Sequence, residues 1–378
     1  MHLLVCSDAF KEGADAPTVC SAMARGVRLV YPGANVDECP LADGGEGTAR
    51  ILTQALGGEW TAVSVSDPLG RPVTAGYGWL AHDTTALIDM AEASGLQHLE
   101  TGERNALQAT SFGTGQLIRH ALERGARTIY LGLGGSATTD AGMGMASALG
   151  IRSFSGGRLI EYPAGEHLSR IDQIDRSDMH PLLAKATFRI LCDVRNPLFG
   201  PQGAAHVYAP QKGASGAQVE LLDDGLQAIH QLWKKTLERD VSRQPGAGAA
   251  GGLGAAALLF LNGALVSGAE TVLDLVNIDE RMARAQLILT GEGSLDEQSL
   301  HGKLIERLAI RANRQQIPII ALCGRLVLSP RQLQSSGLLA AFPIQPGPVS
   351  LGDALANTTD NLEQTAARVA ATFFGRKT

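Results

Sequence analysis

The chain has 378 residues, a hydrophobic fraction of 44% and a formal net charge of −6 at pH 7, which suffices for two domains with sizeable cores. The acidic balance argues against a surface for nucleic acid or anionic membranes, since either would need clustered lysine and arginine. The five cysteines are scattered and form no CxxC pair, so we expect neither disulfides nor a zinc knuckle, and a cytoplasmic location. No apolar stretch is long enough to span a bilayer.

The first part of the chain alternates between strand-like and helix-like patterns, as βαβ units do. Residues 61–91 change to a hairpin around DPLGRP followed by a third neighbouring strand, which indicates a domain boundary near residue 67. Before this boundary the pattern predicts strands at 2–8 and 35–43 and helices at 18–33 and 45–58.

Helix–strand alternation then resumes, with a strand predicted at 188–194 and a helix over 216–240. The segment QPGAGAAGGLGAA (244–256) has the composition of a linker but lies between two helical stretches. From residue 286 the strands are apolar on both faces, as buried parallel strands are. We therefore predict an α/β fold in which a parallel Rossmann-like α/β domain (1–67 and 285–378) is interrupted by an inserted mixed α/β domain (68–284).

Three segments at predicted strand ends carry acids, and the second and third are also rich in glycine: SDAFK (7–11), LADGGEGT (41–48) and LTGEGSLDEQSLHGK (289–303). Ligands of open parallel sheets bind beyond the carboxyl ends of the strands, so we expect these acids to converge on one cleft. Such carboxylates suit Mg²⁺ held together with a phosphate-bearing ligand. Each acid alone would also serve as a helix cap. The charged residues concerned are Asp8, Lys11, Asp43, Glu46, Glu292, Asp296 and Lys303.

The inserted domain offers matching groups. The segment FRILCDVRNPLFG places Asp193 and Asn196 at a strand end, and APQKGAS places Lys212 in a glycine-flanked loop. There its ammonium would either meet a phosphate oxygen or remain solvated. The glycines at 246–254 would either expose backbone N–H groups to an anion or let helices pack closely, and their spacing does not distinguish the two.

The segment LGLGGSATTDAGMGMASALG (131–150) follows a predicted strand. Its GxGxxA spacing is a weak dinucleotide fingerprint, but no acid follows at the end of a second strand, so an NAD(P)-dependent dehydrogenase is only an alternative. The turn otherwise presents backbone N–H groups to an anion at a helix N-terminus, or packs tightly with Thr139 or Asp140 as N-cap. GxxxxGK[ST] and GxSxG are absent, which excludes a P-loop ATPase and argues against a serine hydrolase.

Taken in order, the motifs resemble those of the bacterial type-1 glycerate kinase family over residues 1–375. The resemblance implies phosphorylation of D-glycerate by ATP with Mg²⁺, most often at the 2-hydroxyl, with the 3-hydroxyl as the alternative. It also implies two domains with the active site in the cleft between them. One departure is that the family usually has D-S-F-K-G where this chain has Ala9 and Glu12. The motifs are SDAFKEGADA, PLADGGEGT, GLGGSATTDAGMGMASALG, CDVRNPLFGPQGA, APQKGAS, GAGAAGGLGAA and LTGEGSLDEQSLHGK.

On this basis we expect Asp43, Glu292 and Asp296 to hold Mg²⁺. The expected catalytic groups are Asp193 as general base together with Asp8, Lys11 and Lys212. The expected partners are ATP and D-glycerate, with no nucleic acid or membrane, and a homodimer is left open. Candidates for binding glycerate or nucleotide are Gly44, Gly45, Gly134, Gly135, Ser136, Thr138, Thr139, Asn196 and Lys303.

Overall fold

The structure, a computed structural model, describes residues 1–300 and 304–375. Its strands are β1 (His2–Val5), β2 (Asn35–Glu38), β3 (Glu59–Ser66), β4 (Pro72–Leu80), β5 (Thr85–Asp89), β6 (Thr128–Gly132), β7 (Arg152–Ser155), β8 (Arg158–Ile160), β9 (Gln173–Asp175), β10 (Thr187–Leu191), β11 (Ala264–Val266), β12 (Leu287–Leu295), β13 (Ile319–Leu326) and β14 (Ala340–Pro343). Its α-helices are α1 (Ala16–Val30), α2 (Thr48–Ala55), α3 (Ala91–Ser94), α4 (Phe112–Glu123), α5 (Met143–Ala148), α6 (Ala204–Tyr208), α7 (Gly216–Leu237), α8 (Ala249–Phe260), α9 (Gly268–Leu275), α10 (Ile278–Met282), α11 (Leu304–Arg314), α12 (Pro330–Ser335), α13 (Leu351–Ala356) and α14 (Thr358–Phe374).

By its internal contacts the chain divides into two compact units. The first unit comprises Met1–Asp43 and Ala269–Thr378, and the second comprises Gly44–Gly268. These limits differ from the boundaries expected at residues 67 and 285. Helix α2 belongs to the second unit because it packs on β4 and β5. Helices α9 and α10 belong to the first because Arg311 of α11 is ion-paired with acids from both. The expected active site between two domains stays a prediction.

The first unit is built on a five-stranded, all-parallel sheet with the order β14-β13-β12-β1-β2. The central strands are apolar on both faces, and Leu4, Leu289 and Leu322 are fully buried, as expected for continuous apolar runs. Because all five strands are parallel, their carboxyl ends lie at one edge of the sheet. The segments that follow β1, β12 and β13 therefore start from the same edge.

Helix α1 packs against α14 in this unit. The Asp15 carboxylate caps α1 by accepting a hydrogen bond from the N–H of Thr18 at 2.9 Å, which satisfies one free donor of the first turn. Val19, Met23 and Val27 recur at helical spacing and are fully buried in the core. The amphipathic pattern of 18–33 thus predicts both the helix and its buried face.

The second unit contains a six-stranded mixed sheet with the order β11-β10-β6-β5-β4-β3. Strands β5, β6, β10 and β11 are parallel to one another, whereas β3 and β4 form the antiparallel hairpin expected from DPLGRP. A small antiparallel sheet, β8-β7-β9, lies in the same unit. The α/β fold class predicted from the sequence is confirmed.

The glycine-rich segment at 244–256 is not a linker. Its second half begins helix α8, whose residues are all buried. Ala250, Gly251 and Gly252 have left-handed φ values of +51°, +66° and +95°. A Cβ atom on Gly251 would lie 2.0 Å from the carbonyl oxygen of Thr138, so glycine is required here for close packing.

Among residues 1–300 and 304–375, we find no helix with the length and apolar character needed to cross a membrane.

Candidate active site

A cleft of about 500 Å³ lies in the first unit, lined by residues that follow the carboxyl ends of β1 and β14 and by the carboxyl-terminal residues of β12 and β13. Its lining includes Asp8, Lys11, Asp43, Glu292 and Asp296, so the structure brings together five of the residues singled out in the sequence. Lys303, which the sequence adds to this group, lies outside the described residues.

The carboxylates of this cleft repel one another. Burial, followed by the negative charge of Asp43, raises the pKa of Asp8 to about 7, and Glu292 adds to the effect. The N–H of Ala9, which donates to Asp8 Oδ1 at 2.7 Å, and the ammonium of Lys11 act in the opposite direction. A buried carboxylate with a raised pKa beside other acids in a cleft is typical of sites that bind a cation or transfer a proton.

The loop after β1 holds Glu12 in a conformation that favours glycine. Glu12 has φ +63°, in the left-handed region that costs an L-residue about 1–2 kcal/mol. The loop is closed by hydrogen bonds from the N–H groups of Gly13 and Ala14 to the carbonyl oxygen of Phe10, at 2.8 and 2.9 Å. Lys11 lies within this turn, so the turn fixes the backbone that carries the Lys11 side chain.

In the second unit the parallel strands also end at one edge, which collects a second group of predicted residues. Asp193 follows β10 and is exposed. Its Oδ1 accepts hydrogen bonds from Ser267 Oγ at 2.8 Å and from the N–H of Gly268 at 3.1 Å. Asn196 is engaged within its own loop, donating to the carbonyl oxygen of Gln202 at 2.8 Å and accepting from the hydroxyl of Tyr208 at 2.6 Å.

Two predicted glycine turns pack against each other at this edge. A Cβ atom on Gly134 would lie 2.6 Å from Cα of Gly45, and Gly44 has φ +89°. Glu46, which the sequence placed with the acids of the other unit, lies instead beside Gly135, where an added Cβ would be 3.0 Å from Glu46 Oε2. Close backbone packing therefore explains these glycines.

The backbone of this turn nevertheless keeps donors unused. Within the described part of the chain, the N–H groups of Gly134, Gly135 and Ser136 make no hydrogen bond. Gly134 and Gly135 are partly accessible to solvent. Successive free N–H groups at a turn can bind an anion.

The helix N-terminus after this turn is capped from within. Helix α5 has six residues, and Asp140 accepts from the N–H groups of Gly142 at 3.0 Å and Gly144 at 3.2 Å. Asp140 also accepts from the N–H and hydroxyl of Ser111, both at 2.7 Å, and Ser111 Oγ in turn accepts from the N–H of Met145. The N-cap residue is Gly142, so neither Thr139 nor Asp140 is the N-cap, but the Asp140 carboxylate satisfies N–H donors of this helix end from within the unit. Anion binding at the preceding turn stays a prediction.

Thr138 and Thr139, two further binding candidates, are fully buried. Their hydroxyls have no hydrogen-bond partner in the described structure. The carbonyl oxygen of Thr138 accepts a hydrogen bond from Lys212 inside the unit. Both side chains face the packed interior, so neither is placed to contact a ligand from solvent.

Lys212 is buried and not a solvated loop lysine, with 2% of its surface exposed. Its Nζ donates to Ser136 Oγ at 2.8 Å and to the carbonyl oxygen of Thr138 at 2.7 Å. Burial lowers the pKa of Lys212 to about 7, although the negative charge of Asp140 opposes the shift. The ammonium therefore braces the Gly134–Thr139 turn from inside.

Two polar residues at strand ends were not singled out in the sequence. Asp89 ends β5 and is 2% exposed. Its Oδ2 accepts from the N–H of Ala49 at 3.0 Å, and burial raises its pKa to about 7. Arg325 of β13 lines the cleft of the first unit. The acid directly after the apolar run TALI is the signal that would have found Asp89, whereas nothing in the sequence distinguishes Arg325.

Comparison with known proteins agrees with this architecture. The sequence matches the model of the Glycerate kinase family over residues 3–374. A glycerate kinase of Bacillus cereus is 44% identical, covering 98% of this chain and 97% of the relative, and the glycerate 2-kinase of Escherichia coli is 39% identical, covering 98% of each. The crystal structure of a putative glycerate kinase 2 from Salmonella typhimurium LT2 superposes with a TM-score of 0.88 at 40% identity, covering 99% of this chain and 98% of that one. The chain belongs to the glycerate kinase family.

Proposed function

We propose that the protein transfers the terminal phosphoryl group of ATP to the 2-hydroxyl of D-glycerate, giving 2-phosphoglycerate and ADP. The observation that carries the proposal is the meeting of Asp8, Lys11, Asp43 and Glu292 in one cleft of the first unit. Membership of the glycerate kinase family supports the reaction class. The name of the Escherichia coli relative, glycerate 2-kinase, supports the 2-hydroxyl over the 3-hydroxyl.

The carboxylates suit Mg²⁺. Oxygen ligands are those that Mg²⁺ prefers. Burial and then the charge of Asp43 raise the pKa of Asp8, and a divalent cation would offset both effects. Within the described residues no three His, Cys, Asp or Glu side chains are arranged to hold a metal by themselves. Mg²⁺ usually takes only one or two protein carboxylates and completes its shell with phosphate and water, so the two observations are compatible.

The other charged residues predicted for this cleft have the following proposed roles. One or two of the carboxylates of Asp43, Glu292 and Asp296 would hold the Mg²⁺ ion, which would neutralise phosphate charge. Lys11 donates to the oxygens of the transferring group, where negative charge spreads in the transition state. The predicted role of Lys303 near it stays a prediction.

In the second unit, the free N–H groups of Gly134, Gly135 and Ser136 bind an anion, for which the glycerate carboxylate is the proposed ligand. Lys212 acts as a positioning residue because it holds Ser136 and Thr138 and does not reach solvent. Asp193, exposed and oriented by Ser267 and Gly268, is the proposed general base for the 2-hydroxyl proton.

Phosphorus NMR of the product tests the reaction and its position together. The protein is incubated with D-glycerate, ATP and MgCl₂, with a parallel sample containing EDTA. In a proton-coupled spectrum 2-phosphoglycerate gives a doublet, because its phosphate is on a CH carbon, and 3-phosphoglycerate gives a triplet from its CH₂ carbon. A triplet would reassign the position, and no new phosphate ester would refute the kinase. NAD(P)⁺-dependent absorbance at 340 nm with glycerate would instead favour the dehydrogenase.

A further inference from the structure

We infer that the nucleotide binds in the first unit, with its base against an apolar wall at the β14 side of the cleft and its phosphates towards the acidic side. The inference rests on the proposed function and adds to it the location and orientation of ATP. It is carried by the strand order of the sheet and by the composition of the two sides of the cleft.

The strand order separates the two sides. In the order β14-β13-β12-β1-β2, Ile344 follows β14, whereas Asp8 follows β1, three strands away. Neighbouring strands are about 4.8 Å apart, so these two ends of the cleft are separated by about 14 Å. The cleft therefore runs across the carboxyl edge of the sheet, from apolar groups after β14 to carboxylates after β1 and on β12.

The β14 side presents apolar surface. Ile344, which follows β14, lines the cleft and is 3% exposed, and Ile305, at the start of α11, lines the cleft as well and is 2% exposed. Leu351, at the start of α13, also lines the cleft and is 74% exposed. Thr358 turns its hydroxyl towards the carbonyl oxygens of Ala354 and Leu355, at 3.1 and 2.9 Å. This leaves an apolar face on which a planar base could be desolvated.

Among the described lining residues, one side-chain amide lies beside this wall. Gln345 lines the cleft, and its Oε1 accepts a hydrogen bond from Asn361 Nδ2 at 3.1 Å. That bond engages the amide oxygen and leaves the Nε2 donor of Gln345 for a ring nitrogen of the base or a ribose hydroxyl.

The cations of the cleft suit phosphate. Neither Lys11 nor Arg325 forms an ion pair with a described residue, and both line the cleft. Glycerate is small and polar throughout and has no apolar part to place on the wall formed by Ile305, Ile344 and Leu351. A nucleoside triphosphate has both an apolar base and an anionic end, which matches the two sides of the cleft.

The test compares Leu351→Glu with Leu29→Glu. Leu29 is 66% exposed on α1 and does not line the cleft, so the control makes the same chemical change at similar exposure. A carboxylate at position 351 would have to be desolvated beneath the base. We expect Leu351→Glu to raise the Kd for MgADP, measured by calorimetry, and the KM for ATP by about tenfold or more. The KM for glycerate should stay within about twofold of the wild-type value, and Leu29→Glu should leave all three constants unchanged.

A second variant, Ala354→Trp, fills the same space without adding charge, and it should weaken MgADP binding to a similar extent. Thermal unfolding checks that both variants fold. Wild-type affinity for MgADP in folded Ala354→Trp or Leu351→Glu would overturn the inference. A rise confined to the KM for glycerate would overturn it too, since glycerate would then occupy the cleft. Because MgADP binding is measured without glycerate, a wild-type protein that binds MgADP but does not phosphorylate glycerate would refute the proposed function and leave the binding inference standing.

Discussion

Replacing Lys212 by methionine should remove a pH dependence from the stability of the second unit. In the folded protein the Lys212 amine is buried, and its pKa is lowered from 10.5 to about 7. The unfolded chain therefore binds more protons than the folded one between pH 7 and pH 10.5, and stability rises with pH across this window. The stabilisation present at high pH is lost as the pH falls through the folded pKa. The thioether of the Lys212→Met variant binds no proton, so the variant would show no such change.

The folded and unfolded pKa values of Lys212 set the size of this change in the free energy of unfolding. Integrating the proton linkage between pH 7 and pH 9 gives a gain of about 2 kcal/mol in the free energy of unfolding of the wild-type protein. The two acceptors of Lys212, Ser136 Oγ and the carbonyl oxygen of Thr138, lose their partner in the variant at either pH. That cost is about 1–3 kcal/mol for each buried acceptor, and it does not change with pH. The difference between wild type and variant should therefore grow by about 2 kcal/mol from pH 7 to pH 9.

Tryptophan fluorescence is a suitable probe, because all three tryptophans (Trp60, Trp79 and Trp233) lie in the second unit. Urea unfolding of wild type and Lys212→Met at the two pH values gives the comparison. Lys185→Met, at an exposed position, is the control. Its free energy of unfolding should change with pH as that of the wild type does. A wild-type–Lys212→Met difference that is constant within about 0.5 kcal/mol would refute the assignment of a buried, largely desolvated amine.

Three further substitutions test separate parts of the structure. Glu12→Gly should stabilise the protein by about 1 kcal/mol, seen as a higher Tm, because φ at this position is +63°; an unchanged or lower Tm would contradict the left-handed turn. Asp140→Ala should cost about 3 kcal/mol or more by urea unfolding, since it leaves buried N–H donors unpaired; a loss below about 1 kcal/mol would refute the capping network. Asp43→Asn and Asp193→Asn should each lower kcat by about 10²–10³-fold in a coupled ADP-release assay, whereas the exposed Asp224→Asn should not; near-normal turnover in both would remove these carboxylates from the mechanism.

Apolar runs and helical spacing, which are local patterns in the sequence, were sufficient to predict much of the fold. Apolar runs such as LLV in β1 and LILT in β12 predict buried parallel strands, and helical spacing predicts α1 with its buried face. The acids after β1 and on β12 were expected at one cleft because parallel strands end at the same edge of a sheet. The set of motifs and their order along the chain indicated the family.

Amino-acid composition gives a wrong prediction of conformation or burial where a segment packs against residues distant in the chain. The glycines at 246–254 have the composition of a flexible linker, but Gly251 is packed against the backbone of Thr138, more than a hundred residues earlier. Similarly, a lysine flanked by glycine and serine is typical of a surface loop. Lys212 is buried because its ammonium meets acceptors on a turn that only the fold brings beside it.

By itself the sequence determined the α/β class, the parallel strands, the acidic glycine-rich strand ends and the family, because each depends on residue type and short-range spacing. Only the tertiary structure decided the limits of the two units, the burial of Lys212 and the role of Asp140. In the segment 131–150, the same glycines and acid are compatible with an anion site or a capped turn. In the folded chain Ser111 and the N–H groups of Gly142 and Gly144 donate to Asp140, which assigns the acid to the helix end and leaves the glycines before it as the proposed anion site. Hydrogen bonds between residues distant in sequence, such as Ser111 and Asp140, exist only once the chain has folded.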